Sequence, residues 1–160
     1  MRSRRPARSS WVASVASGFV GALVLTSIHE SARRAVAHPP RMDTLGRRAV
    51  KNMLDAAGQD VQPRSTLQKI ALAGDLVANT MYYAAIAREH GRARWQRAIA
   101  LGTAAGMGAV ALPPFLGLGR APNSQYASTQ LMTTAWYLAG ALATAAAATV
   151  LAPSARTASA

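Results

Sequence analysis

The chain has no cysteine. That excludes disulfides, thiolate metal sites, iron–sulfur clusters and cysteine nucleophiles together, and it leaves the redox compartment open. Carboxylates are scarce: six Asp and Glu stand against 18 Lys and Arg, for a net charge of +12. Sixteen of those 18 basic residues are Arg, only Lys51 and Lys69 being Lys. With the heavy use of alanine, this reads as coding bias as much as function. No recognition motif or aromatic stacking platform accompanies the charge, so no nucleic-acid partner is expected.

Charge is also missing over long stretches. Residues 9–29, 98–119 and 121–155 contain no formal charge, and 70–87 contains only Asp75. Apolar runs near 20 residues match the length of helix that crosses a bilayer's hydrocarbon core. A soluble alanine-rich bundle would instead carry charges every few residues on its outer faces. The apolar fraction of 51% and mean hydropathy of +0.10 conceal this segregation, because the Arg residues crowd between the runs.

These features predict an all-α fold: an integral membrane four-helix bundle in one domain, with partner groups limited to the bilayer, a membrane protein or a second copy. The expected spans are 11–29, 67–87, 98–118 and 130–152, between a basic tail at 1–10 and a tail at 153–160. Arg2, Arg4, Arg5 and Arg8 before the first run resemble the start of a signal peptide. His29, Glu30, Arg33 and Arg34 separate that run from the small-residue stretch 35–37, which favours a retained first span. Trp11 suits an interfacial anchor. Pro113 and Pro114 should stop the third helix near Leu112, so that helix either starts earlier, around Trp95, or is completed by irregular chain.

The linker 30–66 holds an amphipathic pattern over about 42–57. Met42, Leu45, Ala49, Met53 and Ala57 recur at steps of three and four, opposite Arg47, Arg48 and Lys51. This predicts a short interfacial helix stopped by Gly58, lying on the membrane surface or packed on the end of the bundle. Pro63 and Ser65 mark the start of the next helix, with Ser65 as its expected N-cap.

Orientation rests on the density of basic residues. An even number of spans puts both termini on one side, and the two sides carry nine basic residues each. The N-terminal tail and the short 88–97 loop are dense and poor in acid, which favours cytoplasmic termini and a bacterial inner membrane.

Small residues supply the expected packing contacts. Gly102 and Gly106 form a GxxxG, Ser14, Gly18 and Ala22 repeat at every fourth position of the first span, and Ala139, Ala143 and Ala147 do so in the last.

Chemistry, if any, falls on the second span and the end of the first. Asp75, Asn79 and Tyr82 are spaced i, i+4, i+7 on one helix face. A carboxylate within a span costs about 2.5–3.5 kcal/mol on insertion and should face the bundle interior, a wet cavity or an Arg partner. Glu30 can pair with Arg33 and Arg34. His29 and Glu30 begin like a zinc-protease HExxH, but Arg33 stands where the second His must be, so that mechanism fails. His38 and His90 fall on opposite sides of the topology, so no metal and no haem or other cofactor is expected. In an antiparallel bundle Glu30, Arg33 and Asp75, with His29, can meet near one interface. The polar stretch 117–126 reads as an interfacial turn ending in Tyr126.

The layout resembles that of small four-span proteins of the bacterial inner membrane, a resemblance of architecture that carries no catalytic residue across. Two functions fit. One is a structural or accessory bundle that binds a membrane partner or itself. The other is a small transporter or proton-linked permease subunit using Asp75. An enzyme is less expected, because no complete nucleophile–base pair or metal site is visible.

Overall fold

The computed structural model describes residues 8–60 and 62–151, with side chains from Trp11 onward. The expected basic tail through Arg8 and the tail 153–160 therefore lie outside the described side chains. Five helices follow one another: α1 (Arg8–Ala35), α2 (Met42–Ala56), α3 (Arg64–Ala87), α4 (Gly91–Ala111) and α5 (Ala127–Leu151). Among the described residues there is no strand.

Each helix boundary has a local cause. α2 ends in a Schellman arrangement: Gly58 takes φ +67°, and the Gln59 N–H donates to the Leu54 carbonyl at 2.9 Å. α3 begins one residue before Ser65, with Pro63 rather than Ser65 in the flanking position. The three-residue turn into α4 is pinned by Glu89, whose carbonyl accepts from Arg94 Nε at 2.8 Å and whose carboxylate pairs with Arg97 at 2.6 Å. Pro113 and Pro114 cannot continue α4, and the chain then coils through overlapping turns from Leu112 to Leu118.

α1 runs antiparallel to both α3 and α5. α1 packs chiefly on α3 and then on α5, and α4 packs chiefly on α5. Gly18 of α1 lies against Thr80 and Ala84, while Thr26 and His29, further along α1, share a cavity with Gln68 and Asp75. Gly21 faces Gly140 and Thr144, while His29 meets Trp136 edge-on at 5.0 Å. α3 and α5 thus share one direction, and α4 carries the chain back between them. α2 lies across the end where α1 stops and α3 starts, packed on α3.

Three helices are long and apolar enough to cross a membrane: Trp11–Ala35, Arg64–Ala87 and Ala127–Leu151. The expectation of four such spans is corrected here. The third uncharged run, 98–118, divides between α4 and the turn after it. α4 itself starts at Gly91, so its first two turns carry Arg92, Arg94 and Arg97. An uncharged run measures missing charge, whereas a span needs unbroken apolar helix, and the prolines separate the two. The first span also continues past residue 29 to Ala35, taking Glu30, Arg33 and Arg34 onto the helix.

The packing is small inside and large outside. Ala22, Ala98, Ala141 and Ala145 are fully buried, while Val12, Val77, Ile99, Met107 and Leu131 are more than half exposed. Close backbone approach through small residues is how helices associate in lipid, where no hydrophobic drive holds them together. Four of the hydroxyls buried between helices are satisfied locally. Ser17, Thr80, Thr133 and Thr144 each donate to the carbonyl four residues back, at 2.7–3.0 Å. Tyr83, fully buried, reaches across to α5 and donates to the Tyr137 carbonyl at 2.8 Å.

Candidate functional site

A cavity of about 130 Å³ lies between α1, α2 and α3. Its polar lining is Thr26, His29, Glu30, Asp43, Gln68 and Asp75. Three of the chain's six carboxylates therefore converge on one space. The cavity exists because α2 lies close on α3: a Cβ on Gly46 would sit 3.1 Å from the Ala71 Cβ.

The three carboxylates differ in their partners. Glu30 accepts from Arg33 Nη1 at 2.8 Å, one helical turn away. Asp43, in the first turn of α2, accepts from Arg41 Nε at 2.9 Å and Nη2 at 3.1 Å, and from Arg47 Nη1 at 2.9 Å. Asp75 has no ion pair among the described residues. Its Oδ1 accepts from Asn79 Nδ2 at 2.9 Å, and the same amide donates to the Asp75 carbonyl at 3.0 Å. Asp75 is thus the cavity carboxylate without a cation.

Asp43 has a definite acid–base character. Burial alone would lift its carboxyl, but the hydrogen bonds and charges of Arg41 and Arg47 outweigh burial and hold it at about 2, below the usual 3.8. A group depressed in the folded state stabilises that state above its unfolded value. The contribution is therefore complete above about pH 5 and is lost as pH falls toward the folded value. The Asp43→Asn variant is expected to melt below the parent at neutral pH, by an amount on the order of 1 kcal/mol after solvent screening. The gap should close on acidification toward the Asp43 value; a gap independent of pH would show that these pairs do not hold α2.

Two further polar groups border the cavity. His29 Nδ1 lies 3.1 Å from the Leu25 carbonyl. A carbonyl only accepts, so in the neutral ring Nδ1 carries the proton and Nε2 is the acceptor. His29 Nε2 and Thr26 Oγ1 are both buried without a hydrogen-bond partner. Buried polar atoms are nearly always satisfied, so two orphans on residues that line one cavity mark a place suited to a polar guest.

A second, more open cleft of about 330 Å³ meets the first at Asp75. Its walls are Leu45 from α2, Ala105 and Ala109 from α4, and Leu112 and Leu116 from the turn after α4, with Tyr137 of α5 at one side. Met42 borders both spaces, so α2 roofs the pair.

Of the residues singled out in the sequence, His29, Glu30 and Asp75 line the same cavity. Asn79 touches it only through Asp75, and Arg33 only through Glu30. Tyr82 turns away, its hydroxyl donating to the Leu101 carbonyl of α4 at 2.9 Å. Asp43, Gln68, Thr26 and Tyr137 were not anticipated. The i, i+4 spacing of Asp43 and Arg47 was the one available signal for the ion pair. No group of three or more His, Asp or Glu among the described residues is placed to hold a metal ion. Of the packing residues, Ser14 and Ala22 are buried, and Gly18, Gly102 and Gly106 face neighbouring helices of the same chain. Compared with protein-family models, with curated proteins and with solved structures, the chain matches none.

Proposed function

We propose that the protein is an integral membrane protein of the small-transporter or proton-linked permease type, in which Asp75 takes up a proton or a cation. The observation that carries this reading is the state of Asp75: a carboxylate on an apolar, span-length helix, beside a polar cavity, with Asn79 but no cation against it. An uncompensated charge at such a depth is costly, so its partner is a proton or a bound cation.

The helix directions support one topology. α1, α3 and α5 are the apolar spans, and α3 and α5 point the same way. In this reading α4 returns through the same layer packed on α5, with Arg92 and Arg97 at the headgroups beside the α3–α4 turn and Arg94 buried against the Glu89 carbonyl. Both termini then share one face, and the dense arginines of the N-terminal tail and of 88–97 favour the cytoplasm of a bacterial inner membrane.

The reading as an accessory bundle has a narrower base. Gly18, Gly102 and Gly106, which would have offered a close-packing face to a partner or a second copy, are used between helices of the same chain. A partner would have to meet the exposed large apolar side chains instead.

The test is proton flux in vesicles containing purified protein and an internal pH indicator. The parent should pass protons, or exchange them for an added cation, under an imposed potential. Asp75→Asn, which keeps the volume and the Asn79 contact, should reduce flux to that of empty vesicles while purifying and melting like the parent. Unimpaired flux in Asp75→Asn ends the proposal.

A further inference from the structure

The two clefts that meet at Asp75 differ in character, and the difference defines the ligand. We infer that Asp75 receives an organic cation with an apolar body, its charged group against the carboxylate and its body in the cleft between α3, α4 and α5. This inference deepens the reading of Asp75 given above and rests on it.

Charge comes first. The protein carries 18 Lys and Arg, yet none of those among the described residues lines either cleft. An anion would enter a space offering carboxylates and no basic side chain. A cation finds one carboxylate free, because Glu30 and Asp43 already hold arginines. Shape comes next. A cleft of about 330 Å³ walled by Leu45, Ala105, Ala109, Leu112 and Leu116 is far larger than an inorganic cation and offers it almost no oxygen ligands. Such walls bind apolar surface. Tyr137 lines the same cleft as Asp75, and an aromatic ring in a cleft with a carboxylate suits an organic cation. The polar cavity on the other side of Asp75, with its orphaned Thr26 Oγ1 and His29 Nε2, can hydrate the charged end.

The experiment measures equilibrium binding of tetraphenylphosphonium to purified protein in lipid nanodiscs, with protein-free discs subtracted. Two competitors separate shape from charge. Tetraphenylborate has the same shape and opposite charge, and tetramethylammonium has the charge without the apolar body. The expected result is saturable binding that neither competitor displaces. Asp75→Asn should weaken it by about tenfold or more, as loss of a charge partner in a shielded site does. Ala105→Phe, which fills the cleft, should weaken it similarly. Leu116→Ser removes apolar wall at a side chain 65% exposed, where no folding cost is expected, and should also reduce affinity.

Displacement by tetraphenylborate would show mere partition into an apolar surface and overturn the inference. Equal competition by tetramethylammonium would show that the body is not recognised and would overturn it as well. Absence of saturable binding in protein that still passes protons through Asp75 would overturn this inference alone. Absence of both would remove the proposed function with it.

Discussion

Gly18→Leu and Gly106→Leu are each expected to break the bundle, giving loss of the monodisperse species in mild detergent or a large drop in thermal midpoint. A Cβ on Gly18 would collide with the Thr80 carbonyl oxygen and lie 2.7 Å from the Ala84 nitrogen. On Gly106 it would lie 2.5 Å from the Thr134 Cα and 3.1 Å from the Thr134 oxygen. These are backbone atoms that no rotamer change can move, so the helices must separate. Overpacking of this kind costs about 3 kcal/mol, a large share of the roughly 5–15 kcal/mol that holds a typical domain together. Gly74→Ala is the control, because a Cβ there meets nothing within 4 Å. It should leave the midpoint unchanged or raise it, since alanine favours helix over glycine by about 1 kcal/mol. A normal midpoint in both leucine variants would show that the α1–α3 and α4–α5 contacts are not what holds the helices together.

Those contacts also show what could be read from the chain. Uncharged runs located α1 and α5, and a run broken only by Asp75 located α3, because scarcity of charge and apolar helix coincide there. They diverge at 98–118, where Pro113 and Pro114 end the helix and the arginines of 92–97 begin it. The every-fourth-residue pattern of Ser14, Gly18 and Ala22 traces one face of α1. Gly21 falls off that stripe, yet it meets Gly140 and Thr144 at a second interface, with α5. One stripe cannot report a helix with two neighbours.

The site was legible to the extent that it follows from antiparallel geometry. The end of α1 and the first half of α3 must adjoin, which brings Glu30 and His29 to Asp75. Tyr82 shares the angular face of Asp75, but seven residues carry it about 10 Å along the axis, to where α4 covers α3. Asp43 and Gln68 were hidden because amphipathic periodicity gives the apolar face of α2 and not what that face rests on. Where α2 rests is settled by contacts far apart in sequence: Arg48 Nη1 donates to the carbonyls of Leu118 and Arg120, each at 2.9 Å.

That arginine gives the second large expected effect. α2 is flanked by non-helical residues on both sides, 36–41 toward α1 and 57–60 with 62–63 toward α3, and it roofs both clefts through Met42. Arg48 ties it to the turn after α4, where Gly117 and Gly119 take φ of +70° and +66° and so present the carbonyls. Asn52 adds a weaker link to the Gly117 carbonyl at 3.4 Å. Removing the guanidinium frees α2 to lift, carrying Asp43 out of the cavity lining. In a chain without cysteine, Thr26→Cys puts a single thiol at the cavity wall in place of a buried hydroxyl. Its reaction with a charged thiol reagent should be slow in the parent background and at least about tenfold faster with Arg48→Ala, since losing two hydrogen bonds of a charged donor, one of them exposed, weakens the hold by about 1.5 kcal/mol or more. Ser31→Cys, on the exposed side of α1, should react equally in both backgrounds and so separates lifting of α2 from general unfolding. Equal Thr26→Cys rates would place the hold on α2 in its seat against α3, where Leu45 is buried and Gly46 meets Ala71, and would make the roof a fixed part of the bundle.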